Sequence, residues 1–431
     1  MMVALAACLF LPAAVVAQET DTTEITRLGA QIEAITRELE RIRLGGAVVA
    51  QADSSMLGFG PDASKVYRVG RGVSIGGYGE ILYENFAADR EDGAASGRTD
   101  QLDAFRGIVY VGYKFDDRFL FNSEIEFEHG ATGQAGSVAL EFAYLDFRLT
   151  PVLGFRAGLL LLPMGFLNEL HEPTLFLGTE RPETEQRIIP STWRESGIGV
   201  FGEGGGFSYR AYLVNGFDAI GGGSSKAKGF DASGLRGGRQ NGSKAAAESF
   251  AGVGRVDYTG ILGFTLGASA YIGNSGQGNP VPTNPSETIS AGTFLWEGHL
   301  EYRRHGLDIR GLFAMADLDG VELINLSRGL TGDASVGERL VGWYAQVGYD
   351  VLRAARTQHQ VIPFVRYEEL NTQDRVPAGF AADPATDRSI LTFGASWKPL
   401  SQIAVKGDVQ IHRNGADTGV NQWNLALGYL F

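Results

Sequence analysis

The chain has 431 residues, with 37 Lys and Arg against 50 Asp and Glu, a formal net charge of −13, and 44% hydrophobic residues. So acidic a chain lacks the clustered cations that a phosphate backbone requires, which excludes nucleic acid as a partner. Gly fills 60 positions, roughly twice the usual share, beside 10% aromatic residues, and this works against a helical protein because Gly costs a helix about 1 kcal/mol per residue.

From Val3 to Ala17 the chain is apolar and uncharged, and Val15-Val16-Ala17 offers small side chains before Gln18, as an export signal does; residues 1–17 are therefore read as a signal peptide. The run is too short to cross a bilayer as a helix. Leu5-Ala6-Ala7-Cys8 also resembles a lipobox, but the apolar run continues past Cys8 as a signal core does. Cys8 is the one Cys, so no intramolecular disulfide and no Cys-based metal site can form.

In residues 18–45, Ile25, Leu28, Ile32, Ile35, Leu39 and Ile42 recur at alternating spacings of 3 and 4, a heptad seam of a and d positions. Asp21 and Glu24 form a capping box, and Gly45-Gly46 ends the helix. A lone helix cannot bury so narrow a stripe, and Ile at both a and d favours three or four strands, so the expectation is a coiled coil joining three copies. An amphipathic helix lying on its own chain is the alternative. Residues 46–65, rich in Gly, Ala and Ser, read as a flexible linker.

From residue 66 to 431 the hydrophobic pattern has period two. Trp423, Leu425, Leu427, Tyr429 and Phe431 alternate with Gln422, Asn424, Ala426 and Gly428; Phe119, Phe121, Ile125 and Phe127 alternate with Asn122, Glu124 and Glu126. Tight turns at Asp116-Asp117, Thr150-Pro151, Gly204-Gly205, Gly260, His305-Gly306, near Ala355 and at Pro399 take turns with long polar stretches. Alternating short and long connections put all the turns at one end of a barrel and all the loops at the other. The predicted fold is all-β: a transmembrane antiparallel β-barrel of about sixteen strands with a short N-terminal coiled coil. Closure follows because backbone amides in hydrocarbon must all pair. Apolar rows would then face lipid and polar rows the lumen. A soluble propeller would need a fixed repeat of about 40 to 50 residues, and the sequence has none.

Glu141-Phe142-Ala143-Tyr144-Leu145-Asp146-Phe147, Arg156-Ala157-Gly158, Leu162-Pro163-Met164-Gly165, Asn168-Glu169-Leu170-His171-Glu172-Pro173, Glu180-Arg181-Pro182 and Ile188-Ile189-Pro190-Ser191-Thr192-Trp193 resemble the phosphate-selective porins O and P. The resemblance runs from about Arg71 to Phe431 and implies a trimeric, sixteen-stranded diffusion channel of a Gram-negative outer membrane, with the coiled coil in the periplasm. It implies no cofactor. Tyr429 and Phe431 resemble the terminal signal read by the barrel-assembly machinery.

In porins of this layout the third long loop narrows the lumen. By position, Glu169, His171, Glu172, Glu180, Arg181, Glu183, Glu185, Arg187 and Arg194 are candidates for a pore constriction, where charged rings set ion preference. Pairing of these residues with one another as structural salt bridges is the competing reading. Strand parity points Arg106, Arg156, Arg210, Arg255, Arg310 and Arg366 into the lumen, together with Glu124, Glu126, Asp257, Glu297, Glu301, Glu368 and Asp408. The mixed interior lacks an uninterrupted basic track, so the expected solutes are small polar molecules and ions, with anions such as phosphate among the candidates. A structural or adhesive barrel of little conductance is the alternative function. Asp317-Leu318-Asp319-Gly320 begins like a calcium loop without its later ligands, so no metal is expected. No catalytic motif stands in a fitting context; a lipolytic barrel would need His on the lipid wall, and His299 and His412 fall on polar rows.

Overall fold

The computed structural model describes residues 55–130 and 136–431. The stretch read as a signal peptide and the heptad seam from Ile25 to Ile42 lie outside the described residues. Sixteen strands form a closed antiparallel barrel: β1 (Gly72–Phe86), β2 (Gln101–Lys114), β3 (Phe119–Glu128), β4 (Ser137–Thr150), β5 (Leu153–Leu161), β6 (Arg194–Gly204), β7 (Phe207–Asn215), β8 (Phe250–Ile261), β9 (Phe264–Asn274), β12 (Gly292–Arg304), β13 (Leu307–Leu318), β14 (Arg339–Tyr349), β15 (Gln360–Arg375), β16 (Asp387–Leu400), β17 (Ile403–Asn414) and β18 (Gln422–Leu430). Two further strands, β10 (Pro280–Val281) and β11 (Asn284–Thr288), make a separate hairpin in the connection from β9 to β12. The expected barrel of sixteen strands is what the chain forms.

Parity is kept along the wall. On β18, Trp423, Leu425, Leu427 and Tyr429 are exposed on the outside, while Gln422, Asn424 and Ala426 are buried within. Exposed Val, Ile, Leu and Phe recur around the barrel, a surface far beyond the few hundred Å² that a soluble monomer leaves bare. Such an exterior suits lipid, and the closed ladder leaves no unpaired strand edge in it. Exposed aromatic residues gather near strand ends: Tyr113 and Phe115 with Trp397 toward the short turns, Trp423 against Tyr83 toward the long loops.

Two turns lie a little beyond their expected places. β8 runs through Gly260, and the chain reverses at Leu262-Gly263, where Gly263 takes a φ of +78°. β16 runs through Pro399, which a strand end tolerates, and reverses at Ser401-Gln402.

The ring closes between β1 and β18. Tyr78 pairs with Leu430, and Gly77 exchanges both backbone hydrogen bonds with Phe431, at 3.1 and 2.9 Å. The Phe431 and Tyr429 rings lie over Gly77 and Gly79, where any Cβ would collide with them. Glycine on one strand thus makes room for the terminal aromatics on the other, a cross-strand pairing that also shields exposed backbone.

The stretch read as a linker requires a correction. Its described part is no solvated tether: Leu57, Phe59, Ala63, Ser64 and Lys65 are buried inside the barrel, followed by Val66 and Tyr67. The Phe59 ring rests on Phe142 at 5.2 Å and on Tyr144 at 5.5 Å. These β4 rings point inward by parity, and covering them removes from water aromatic surface that each side chain would otherwise expose.

Candidate functional site: a constricted lumen

The third long loop, residues 162–193, joins β5 to β6 and folds into the barrel. Pro163, Pro173, Pro182 and Pro190 prevent a long regular element, leaving a 3-10 turn at Pro173–Leu175 and a short helix at Glu183–Arg187. Its apolar residues Leu162, Met164, Phe166, Leu167, Ile188, Ile189 and Trp193 are buried. Each such burial contributes about 2 kcal/mol relative to exposure, enough in sum to hold the loop in place. Trp193 stacks on Phe217 at 4.3 Å, which ties this loop to the fourth, residues 216–249.

Polar contacts from the wall pin the loop along its length. Arg255 donates to the Gly165 carbonyl, Arg303 and Arg310 to Leu175, Lys398 to Thr174 and Lys406 to Gly178, while the Thr179 amide donates to Asp408 at 2.6 Å. Carbonyls of irregular backbone are thereby paired at a depth where water is scarce.

The predicted constriction residues divide into two groups. His171 Nε2 meets Glu124 at 3.0 Å, Glu185 accepts from the Leu167 amide and the Tyr344 hydroxyl, and Arg194 meets Glu141 at 2.6 Å. Glu172 accepts from the backbone amides of Asp62 and Ala63 at 3.0 and 2.9 Å, joining the loop to the N-terminal segment. These four line none of the three lumen chambers and hold the fold. Glu169, beside Arg210 at 3.3 Å, borders a chamber at the short-turn end. Glu180, Arg181, Glu183 and Arg187 border the long-loop end.

Of the inward arginines, Arg210, Arg255 and Arg310 border the short-turn chamber, Arg106 and Arg366 border long-loop chambers, and Arg156 borders none. All six are buried and ion-paired: Arg106 with Glu80, Arg156 with Asp146, Arg210 and Arg255 with Asp257, Arg310 with Glu301, and Arg366 with Glu368. A buried cation must be paired or pay heavily in lost hydration, which is why parity alone marks a row of cations and not a row of solute contacts.

The short-turn chamber holds about 440 Å³ and the two long-loop chambers about 430 and 250 Å³. The long-loop chambers share Glu180, Arg181 and Gln186, whereas no lining residue is common to the two ends. Between them stand the third loop and the N-terminal segment. Charge differs as well: in the 430 Å³ chamber six guanidinium groups (Arg98, Arg181, Arg187, Arg366, Arg388, Arg413) face four carboxylates (Glu84, Glu180, Glu183, Glu368), while the short-turn chamber has four of each. Glu180 is held by the side-chain amides of Gln410, Gln422 and Asn424, and burial, with Glu84 and Asp408 nearby, pushes its carboxyl up to about 8. Much of its negative charge is therefore absent near neutral pH, which leaves this chamber the more positive.

Reasoning from sequence missed Arg98, Arg388 and Arg413, which lie on other loops or strand ends, and the N-terminal segment. Phe59, Val66 and Tyr67, apolar residues in and beside a supposed linker, were the available signal for the latter.

The chain is 40% identical over 370 residues to an uncharacterized protein of Aquifex aeolicus, an alignment that covers 84% of this chain and 80% of that one. No protein-family model matches it. Among solved structures, a loop L8 deletion mutant of OmpT, an outer membrane protein of Vibrio cholerae, superposes with a TM-score of 0.52 at 12% identity, covering 84% of this chain and 100% of that one. The in-vitro folded trimer form of the same OmpT gives 0.50 at 13% identity over 83% and 99%. At such identities the likeness is one of fold.

Proposed function

The chain belongs to the family of the Aquifex aeolicus protein, and we propose that it is an outer-membrane porin, a channel for passive diffusion of small polar solutes and ions with a preference for anions. The observation that carries this reading is the third loop folded inside a lipid-belted barrel, beneath a chamber where guanidinium groups outnumber carboxylates. A fixed excess of positive charge in a narrow, poorly screened passage raises the local concentration of anions. The resemblance to the phosphate-selective porins O and P supports the channel, and the excess of cations is where phosphate would enter. The heptad seam from Ile25 to Ile42 and the trimer form of Vibrio cholerae OmpT support a homotrimer.

Purified trimer in a planar bilayer is expected to open in steps, with a reversal potential under a potassium chloride gradient whose sign reports chloride preference. A folded but silent protein would favour the second reading, a structural or adhesive barrel. That reading has its own support: the chambers at the two ends share no lining residue, so the interior is largely filled.

Insertion by the barrel-assembly machinery would use the terminal strand. Deleting Phe431 removes both hydrogen bonds to Gly77 and the ring above it, so we expect unchanged synthesis with a several-fold loss of heat-modifiable barrel in the outer membrane. Wild-type surface levels of the shortened chain would rule out the role.

A further inference from the structure

The smaller long-loop chamber, about 250 Å³, lies between the third loop, strands β1 and β2, and Arg236 of the fourth loop. Its donors are left unused. Arg181 Nε and Nη2 are buried without a hydrogen-bond partner, as is Ser191 Oγ. Among the described residues, neither the Arg181 nor the Arg236 side chain has an ion-pair partner. Burial and neighbouring cations, Arg106 for Arg181 and Arg181 for Arg236, hold both guanidiniums below their ordinary proton affinity. The six inward arginines of the strand rows each have a carboxylate; Arg181 and Arg236 converge from different loops on one cavity without one. Leaving a buried donor unmet costs about 1–3 kcal/mol, more when it is charged. An anion in the chamber would satisfy Arg181 and Ser191 together and relieve the repulsion between the two cations.

The border of the chamber restricts the charge and size of that anion. Glu80, Glu128 and Glu180 stand at its edge, the first already matched by Arg106 at 3.3 Å and the last carrying little charge near neutral pH because burial pushes its carboxyl up to about 8. They penalise a second negative charge on the guest while leaving a single one well served by two cations. The volume equals on the order of eight waters at about 30 Å³ each, room for a head group and a body of several heavy atoms. A guanidinium matches a carboxylate with two parallel hydrogen bonds.

We propose that this chamber binds a small organic monocarboxylate, its head group forked by Arg181 and bonded by the Ser191 hydroxyl, with Arg236 supplying the second positive charge at the rim. As the solute class of the channel this assignment rests on the porin reading; as a binding site it stands apart from conductance.

The test is calorimetric titration of the folded full-length protein in detergent with benzoate, and separately with inorganic phosphate. Benzoate is expected to bind, and to bind about tenfold more weakly in both Arg181→Gln and Arg236→Gln. Arg181→Lys, which keeps the charge and loses the fork, is expected to fall between. Arg304→Gln, at the exposed far end of β12, is expected to bind as the wild type does. Because Arg236 sits at the rim, its variant remains informative if Arg181→Gln does not fold. Phosphate binding without benzoate binding would overturn the ligand class. Absence of binding by either, or benzoate binding indifferent to both arginines, would overturn the site. Binding to a protein silent in bilayers would retire the channel and leave the site; conductance without binding would do the reverse.

Discussion

A chain beginning at residue 70 should conduct several-fold more current per opening than the full-length protein. Residues 57–67 occupy the short-turn half of the lumen: the Leu57 amide donates to Glu203, Phe59 covers Phe142 and Tyr144, Val66 fills the space over Gly112, and the Tyr67 hydroxyl donates to Asp146 at 2.7 Å. Removing them vacates that volume without touching a strand. The cost is the apolar burial of Phe59, Val66 and Tyr67, about 1.5–3 kcal/mol for each such side chain, set against sixteen paired strands that stay intact. A truncated barrel with wild-type conductance would show that the segment does not obstruct the path.

Acidity provides a milder form of the same experiment. The segment is hung on Glu172, whose carboxyl burial pushes up to about 8, with Asp62 and Glu124 adding repulsion against the two backbone amides it accepts. A carboxyl raised in the docked state binds a proton there that the undocked state, near 4.5, releases. Docking is therefore strongest below about pH 4.5 and weakens as pH rises through 8. Conductance is expected to climb between pH 6 and 9, and Glu172→Gln to flatten the climb; a profile unaltered by that substitution would place the titrating group elsewhere.

This segment also marks the limit of what was legible in the sequence. Strand parity depends on neighbours two residues apart, so the outward row of Trp423, Leu425 and Leu427 and the inward row of Asp408 and Gln410 could be read directly, as could the alternation of short and long connections. What an inward residue meets depends on contacts between distant parts of the chain. Glu124 finds His171 47 positions away, and Asp408 finds Thr179 229 positions away. No local pattern encodes such pairs, and for that reason nine residues proposed together as a constriction divide into chamber-lining and fold-holding groups. Composition misled at residues 55–65, where Gly and Ser beside Phe59 mark chain that must bend closely within a barrel, not chain that is solvated.

The inward arginines supply the second large effect, because Arg156 and Arg181 should respond in opposite ways to the same substitution. Arg156 grips Asp146 with two hydrogen bonds of 2.8 and 2.9 Å, donates to the Tyr212 and Tyr67 hydroxyls, and lies over the rings of Phe59, Tyr144 and Phe201 at 4.8, 4.2 and 4.6 Å. Both partners are buried, so Arg156→Ala strands the Asp146 carboxylate in a dry site, at a cost of about 3–5 kcal/mol. The barrel should lose its heat-modifiable mobility at a lower temperature and unfold at a lower urea concentration. Replacing both partners, Asp146→Leu with Arg156→Met, should recover part of that loss, since no uncompensated charge remains. Ion preference of the surviving channels should not move, because Arg156 borders no chamber. Arg181 has no partner to abandon, so Arg181→Gln strands no carboxylate and should leave the barrel at least as stable as the wild type, while shifting the reversal potential toward cations. If Arg156→Ala altered selectivity at full stability, the distinction between clamping and solute-facing cations would be wrong, and parity alone would be the better guide to the lumen.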